Sequence, residues 1–247
     1  MDSLAYKPTL DDVIPRLRAL YAREAADRIF ASVAVPSRAL AEFRRRYGEG
    51  YCGYPDPEER IAFWDRLLAE RIAVEDDSVP SAYLSEMDQG LYGGLLGGEV
   101  QFMAHPENGW ISSMVAPLLN EWGELDGLAF DPGHSWFRRY LDQLDAFVRG
   151  SAGKFGLSHF ILINGLNFVF ELVGATQTYL SLDERPETVR RAVELGFGLN
   201  VAVQEAFFEH APMLRGGTCS NMVEWLPGRI VSESVDPFPM TSVEYFE

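Results

Sequence analysis

The feature of this sequence that most restricts its fold is a repeated order of short apolar run, polar tip and amphipathic helix. Apolar runs that end in polar residues lie at residues 82–89, 160–167, 217–221 and 230–236. Helical spacing of apolar residues marks the segments between them, most clearly residues 135–148 and 186–214. Such an alternation is typical of parallel strands joined by helical crossovers. The sequence therefore predicts an α/β fold with a parallel sheet or barrel.

The stretch at residues 82–102 (AYLSEMDQGLYGGLLGGEVQF) carries the clearest indication of chemistry. It begins like a short buried strand and then presents Glu86, Asp88 and Gln89 ahead of a glycine-rich segment, which we interpret as a turn. In α/β barrels, catalytic side chains lie at the carboxyl ends of the strands, next to the loops. The alternative interpretation is that these acids cap the helix that follows.

Local patterns predict several further elements. Residues 10–26 and a segment that starts at Pro57 have the apolar spacing of helices. Residues 29–35 (IFASVAV) form a compact apolar run, which predicts a buried strand. Residues 38–46 (RALAEFRRR) indicate a short basic helix, whose arginines form either a solvated face or an anion-binding group.

Composition and charge restrict the class of protein. The 247 residues are 47% hydrophobic and 23% charged, which suits one globular domain over residues 1–247. The net charge of −16 disfavours binding to nucleic acid or to an anionic membrane surface. No apolar run reaches the roughly 20 residues of a membrane span, and the N-terminus lacks a signal-peptide pattern. Cys52 and Cys219 give neither a disulfide framework nor zinc-ligand spacing, so we expect a cytoplasmic protein.

Four segments together resemble the uroporphyrinogen decarboxylase superfamily, which includes corrinoid-linked methyltransferases and relatives of cobalamin-independent methionine synthase. The segment MDQGLYGGLLGGEVQF is similar to the decarboxylase segment that holds the catalytic aspartate, with Asp88 on that aspartate and Glu99 on a following glutamate. RALAEFR is similar to the end of the family's arginine motif, with Arg38 on an arginine that binds substrate carboxylates. The later segments NGLNFVFELVGATQTYLSLDERPETV and GGTCSNMVEWLPGRIVSESVDPFPMTSVEYFE also resemble the family.

The resemblance implies both a fold and a site. The fold is a TIM-type (β/α)8 barrel, and because the sequence supplies about four strand candidates, we expect about the first half of that barrel. Asp88 is then the catalytic residue, and it stabilises positive charge that develops on the substrate, with no metal or organic cofactor. The expected substrate-binding residues are Arg38, Gln89, Asn164, Asn167, Cys219, Ser220, Asn221 and Asp236. For Cys219, simple packing is an alternative to a role in the site.

Two departures from the decarboxylase pattern leave other functions open. The first arginine of the arginine motif falls near Val33, and a tyrosine of the family's third segment has no counterpart in FVFELVG. The leading expectation is a decarboxylase acting on a carboxylated small molecule, of the tetrapyrrole type. One alternative is a methyltransferase with a corrinoid or thiol partner, which requires zinc ligands from a missing C-terminal half. Another is a non-catalytic binding module. The expected partners are a small-molecule substrate and, in a homodimer, a second copy of the chain.

Overall fold

The computed structural model describes residues 3–48 and 50–243, and within them it has eight α-helices and nine short strands. The helices are α1 Leu10–Tyr21, α2 Arg38–Arg46, α3 Pro57–Ala69, α4 Gln89–Leu95, α5 Ser135–Ser151, α6 Gly165–Val173, α7 Ala175–Glu184 and α8 Pro186–His210. The strands are β1 Gly50–Cys52, β2 Ser81–Tyr83, β3 Gln101–His105, β4 Trp110–Met114, β5 Gly156–Ser158, β6 Leu162–Ile163, β7 Gly217–Ser220, β8 Glu224–Pro227 and β9 Glu233–Ser234. Short 3₁₀ helices lie at Ser85–Met87, Trp122–Gly127 and Phe238–Met240.

The central sheet has the strand order β2-β5-β7-β8. Strands β2, β5 and β7 are parallel, with Ala82 opposite Leu157 and Ser158 opposite Cys219, whereas β8 is antiparallel to β7. Parallel strands need long crossovers, and here α4 and α5 lie in the first connection and α6 to α8 in the second. The molecule is a mixed α/β fold in which three strand ends meet at one edge of the sheet.

The three sheets of the described ranges are open, so the barrel predicted from the sequence is not confirmed. In a barrel a further parallel strand would pair with β7, but the antiparallel strand β8 occupies that edge. The other two sheets are the antiparallel sheet β1-β3-β4 and the parallel pair β6-β9. Strand β6 follows β5 after three residues and pairs in parallel with β9, with Leu162 opposite Glu233.

Apolar faces of the helices and the central strands form one large core. On α5, Tyr140, Leu144 and Phe147 are fully buried, as their helical spacing predicts, and the helix packs against α3, α8 and β5. A smaller core joins α1 to β8, where Trp225 is fully buried and donates a hydrogen bond from Nε1 to the carbonyl of Leu214 at 2.9 Å. Of the helices within the described ranges, none has the length and apolar character needed to cross a membrane.

The segment at residues 29–35 is not a buried strand, and that prediction is wrong. The segment has no regular secondary structure and is largely exposed, and side-chain carboxylates rather than a neighbouring strand bind its backbone N–H groups. The N–H of Ala31 donates to Asp77 Oδ2 at 3.0 Å, and the N–H of Val33 donates to Asp76 Oδ2 at 2.9 Å. An apolar run can therefore lie on the surface when polar side chains satisfy its backbone.

The glycine-rich stretch after Asp88 forms the helix α4, not the predicted turn, and Gly90, Gly93 and Gly94 all lie within it. These glycines are buried because other parts of the chain pack directly on them. A Cβ atom at Gly90 would lie 2.7 Å from the backbone nitrogen of Met114, which is too close for any other residue type. The glycines therefore let α4 approach β4 closely.

Candidate active site at the carboxyl ends of the parallel strands

Asp88 lies where the first parallel strand passes into α4. Strand β2 ends at Tyr83, the 3₁₀ helix Ser85–Met87 follows, and Asp88 is the last residue before α4. Its carboxylate makes no capping hydrogen bond to that helix, so helix capping does not explain this acid. Burial raises the pKa of Asp88 to about 7, although the backbone N–H of Gln89 acts in the opposite direction. Asp88 can therefore gain or lose a proton near neutral pH.

The neighbouring acid, Glu86, is engaged in a buried ion pair. It pairs with Arg60 and accepts a hydrogen bond from Gln143 Nε2 at 2.7 Å. Arg60 Nη2 also donates to the carbonyl of Gly109 at 2.8 Å. The side chains of Arg60 and Glu86 are only 3% and 2% exposed. This network ties α3, α5 and the β3-β4 turn together, so Glu86 has a structural role and Asp88 is the acid available for chemistry.

Glu171 on α6 is a second carboxyl of this site, and it is absent from the residues predicted from the sequence. Burial raises the pKa of Glu171 to about 7, and the negative charge of Asp88 adds to this effect. Its Oε2 atom is buried and has no hydrogen-bond partner in the described part of the chain. The available signal in the sequence is that Glu171 is the one charged residue of α6, within the apolar run FVFELV. Ionisation of Asp88 therefore disfavours ionisation of Glu171.

Tyr83, the last residue of β2, lies within reach of the charge of Asp88. Burial raises the pKa of Tyr83, and the charge of Asp88 is the next largest cause. The hydroxyl oxygen accepts a hydrogen bond from the N–H of Ile161 at 3.4 Å, and the ring centroid lies 4.9 Å from that of Trp110. The hydroxyl therefore stays protonated at neutral pH and can donate a hydrogen bond to a carboxylate or a ligand.

Ser234 joins the predicted residues Asn167 and Asp236. Asn167 Nδ2 donates to Ser234 Oγ at 2.9 Å, and Ser234 Oγ donates to Asp236 Oδ2 at 2.7 Å. Asn164, which precedes α6, and Asn167 each have a buried Oδ1 atom without a partner among residues 3–48 and 50–243. Buried polar atoms normally have hydrogen-bond partners, so these two acceptors are available to a ligand with N–H or O–H groups.

The predicted residues Ser220 and Asn221 lie at the end of β7. The backbone N–H of Asn221 donates to Ser158 Oγ at 2.9 Å, which holds the turn after β7 against the end of β5. Ser220 Oγ accepts a hydrogen bond from the backbone N–H of Met222 at 3.2 Å. The Nδ2 atom of Asn221 is buried and lacks an acceptor within the described ranges. This strand end therefore contributes a hydrogen-bond donor for a ligand.

Of the remaining predicted binding residues, Cys219 is buried in a core, and Arg38 and Gln89 are exposed. Cys219 is buried in the smaller core with its sulfur packed on Gly156, and burial raises the pKa of the thiol to about 12. Arg38 is exposed at the start of α2, where its backbone N–H donates to Glu70 Oε2 at 2.9 Å. Gln89 is exposed on the first turn of α4. Substrate binding by these three side chains stays a prediction from the sequence.

The donor groups of the site do not fit a zinc ion. Zinc in proteins takes about four ligands, mainly cysteine sulfur and histidine nitrogen. Among the residues that the structure describes, no three His, Cys, Asp or Glu side chains are grouped so that they could hold a metal ion. The chemistry of this site is therefore derived from its carboxyl, amide and hydroxyl groups.

No protein-family model matches the sequence, and no curated protein matches it. A solved structure that is similar is a methyltransferase from Methanosarcina mazei, with 14% sequence identity and a TM-score of 0.50. The similarity covers 81% of this chain and 56% of the other, so this chain spans little more than half of that structure's length. At this identity the similarity concerns the fold. It does not show membership of the superfamily predicted from the sequence.

Proposed function

We propose that Asp88 and Glu171 transfer a proton to a carboxylated small molecule and that the reaction is a decarboxylation. The observation that supports this proposal is that Asp88, at the end of β2, and Glu171 each have a pKa raised to about 7, and that the charge of Asp88 contributes to the rise at Glu171. In such a pair, ionisation of one carboxyl disfavours ionisation of the other. Near neutral pH one member can serve as a general acid while the other carries the negative charge.

A decarboxylation of this kind needs a proton donor and a negative charge that stabilises a cation, and the protonated and the ionised carboxyl supply these two functions. Protonation of the carbon that bears the carboxylate gives a cationic intermediate, which the ionised member of the pair stabilises. The bond to the carboxylate carbon then breaks, CO₂ leaves, and the bonding electrons neutralise the cation. The net change is the replacement of CO₂ by one proton at that carbon. A group whose pKa lies near the working pH is best suited to give up and regain that proton.

In this proposal, the buried side-chain amides orient the substrate through hydrogen bonds. Asn164 and Asn167 offer acceptor oxygens, and Asn221 offers a donor nitrogen. A substrate that carries N–H groups near the reacting carbon, as pyrrole-type rings do, would satisfy the two acceptors. An unmade hydrogen bond in a buried site costs about 1–3 kcal/mol, so these amides discriminate against purely apolar acids.

The test is CO₂ release from a panel of carboxylated pyrroles, porphyrinogens and simple aromatic acids, with Asp88→Asn and Glu171→Gln beside the wild-type protein. Each substitution should lower turnover by at least about 100-fold, the usual contribution of a positioned acid or base. Glu224→Gln is the matched control, because Glu224 also has a pKa raised by burial and its bond to the N–H of Val79 can be kept by glutamine. Undiminished turnover in both site variants would contradict the proposal, and ligand binding without turnover would instead support a binding module.

A second candidate is methyl transfer to a corrinoid or thiol partner, and the similarity to the methyltransferase structure favours it. In that case the protein should transfer a methyl group from methylcobalamin to a thiol, and any zinc that it needs must be bound by residues other than those the structure describes. Metal analysis separates the two candidates, because the proton transfer proposed for Asp88 and Glu171 does not depend on zinc. Metal-free protein that releases CO₂ would support the decarboxylase, and zinc-dependent methyl transfer would support the methyltransferase.

A further inference from the structure

A cavity lies away from Asp88, between the antiparallel sheet and the start of α5. Its volume is about 540 Å³, within the range of about 300–1,000 Å³ that is usual for small-molecule sites. Strands β1 and β3 supply one wall, and α5 supplies the other. Tyr54, Phe102 and Trp136 line the cavity as an aromatic cluster, with ring centroids between 5.5 and 6.1 Å apart. The cavity therefore offers flat apolar surfaces.

Arg139 lies at the same cavity and stacks on two of these rings. Its guanidinium carbon is 4.9 Å from the ring centroid of Tyr54 and 4.5 Å from that of Trp136. Within residues 3–48 and 50–243, Arg139 makes none of the ion pairs or side-chain hydrogen bonds that occupy most other arginines. Stacking uses the faces of a guanidinium and leaves the N–H groups at its edge free to bind a carboxylate in a forked geometry.

The charges around the cavity restrict the charge of a ligand. Burial raises the pKa of Tyr54, the positive charge of Arg139 opposes that rise, and the charges of Asp142, Glu86 and Asp56 add to it. Several acids therefore act on the same region as one arginine, in a chain with a net charge of −16. Among the described residues that line the cavity, Arg139 is the one with a positive charge, so it can pair with a single carboxylate.

From these observations we propose that this cavity binds a planar aromatic monocarboxylate. The aromatic ring of the ligand stacks against Tyr54 and Trp136, and its carboxylate accepts hydrogen bonds from the guanidinium edge of Arg139. The site is separate from the carboxyl pair of the proposed decarboxylase, so this inference stands or fails independently of that function.

The test is isothermal titration calorimetry with indole-3-acetate as the probe, compared with neutral indole and with acetate. Saturable binding of indole-3-acetate is expected, with at least about tenfold weaker binding of the two fragments and of the Arg139→Gln variant, because a hydrogen-bonded charge contributes about 1.5–3 kcal/mol. Trp136→Leu should also weaken binding. Arg45→Gln is the matched control, because Arg45 is an exposed arginine on α2 that takes no part in this cavity.

Cysteine alkylation locates the bound probe. Cys52 lines the cavity, whereas Cys219 is buried in the smaller core and serves as an internal reference. Indole-3-acetate should slow the reaction of Cys52 with N-ethylmaleimide in the wild-type protein, and it should have no such effect in Arg139→Gln. Absence of binding, equal binding of neutral indole, or binding that Arg139→Gln does not change would overturn the proposal.

Discussion

The negative charge of Asp88 acts on Glu171. Burial is the larger reason that the pKa of Glu171 rises to about 7, and the charge of Asp88 contributes in the same direction. The two residues come from different parts of the fold, because Asp88 precedes α4 and Glu171 lies on α6, and these helices pack together. The packing of α4 on α6 therefore brings Glu171 within reach of the charge of Asp88.

Removing the charge of Asp88 should lower the pKa of Glu171. In Asp88→Asn the like-charge contribution disappears and only burial remains, so Glu171 should titrate at a lower pH than in the wild-type protein. The measurement is an NMR titration of ¹³C-labelled glutamate carboxyl groups. Glu224 serves as the control, since its pKa is raised by burial with no contribution from Asp88. An unchanged pKa of Glu171 in Asp88→Asn would show that the two carboxyls are not coupled.

The same two carboxyls should reduce the stability of the protein at alkaline pH. Their pKa values are near 4 in an unfolded chain and about 7 in the folded protein, so folding takes up protons between these values. Their contribution to stability is full below about pH 4 and is lost as the pH rises to about 7. At about pH 8 the wild-type protein must keep both buried carboxyls ionised, which lowers its free energy of unfolding. Asp88→Asn and Glu171→Gln each remove one of these charges, so each should be more stable than wild type at that pH by roughly 1–3 kcal/mol after allowance for partial exposure.

Urea unfolding at several pH values checks this expectation. The stability difference between each variant and the wild-type protein should shrink as the pH falls from about 8 to about 4. Comparing differences cancels the acids whose pKa values are lowered, such as Asp76 and Asp65, because these are the same in all three proteins. A variant less stable than wild type at every pH would indicate that its carboxyl makes a stabilising interaction in ionised form.

Elements with local signals could be predicted from the sequence. The helix α3 begins at Pro57, and the side chain of Asp56 accepts a hydrogen bond from the N–H of Glu59 at 3.0 Å, so the start of the helix is encoded within four residues. The helix α2 has the predicted bounds Arg38–Arg46 for a similar reason, since Ser37 caps it. Asn167 and Asp236 follow short apolar runs in the sequence, and their role in binding stays a prediction.

Features that depend on distant parts of the chain could not be predicted in this way. The segment at residues 29–35 has the composition of a buried strand, but carboxylates more than 40 residues away bind its backbone at the surface. Glu171 has an unusual pKa only because α6 is packed in the core beside Asp88. The cavity at Arg139 likewise requires Tyr54 and Trp136 to meet from segments about 80 residues apart. These relationships are properties of the tertiary structure.

Breaking the buried pair of Arg60 and Glu86 should destabilise the fold strongly. Glu86→Gln leaves the charge of Arg60 buried without its counter-charge, which typically costs about 3–5 kcal/mol. The measurement is the free energy of unfolding in urea. The control is Glu58→Gln, which breaks the exposed pair of Glu58 with Arg149 and should change stability by less than about 1 kcal/mol. Similar losses in both variants would contradict a structural role for the buried pair.

Two glycines of α8 should respond in opposite ways to the same substitution. At Gly196, a Cβ atom would lie 2.5 Å from Cδ1 and 2.6 Å from Cγ of the fully buried ring of Phe168. At Gly198, it would meet no atom within 4 Å. Alanine is the better helix former by about 1 kcal/mol, so Gly198→Ala should stabilise the protein by about that amount. Gly196→Ala should instead destabilise it by about 1–3 kcal/mol, because the core around Phe168 must move to accept the methyl group.

Thermal and urea unfolding of the two variants checks this pair of expectations, with each variant serving as the matched control for the other. Because α8 packs on α6, a shift of Phe168 should also disturb the helix that carries Glu171. The pKa of Glu171 should therefore change in Gly196→Ala and stay the same in Gly198→Ala. Equal stabilisation by both alanines would mean that α8 does not pack on α6 as closely as the structure shows, and that the position of Glu171 does not depend on this contact.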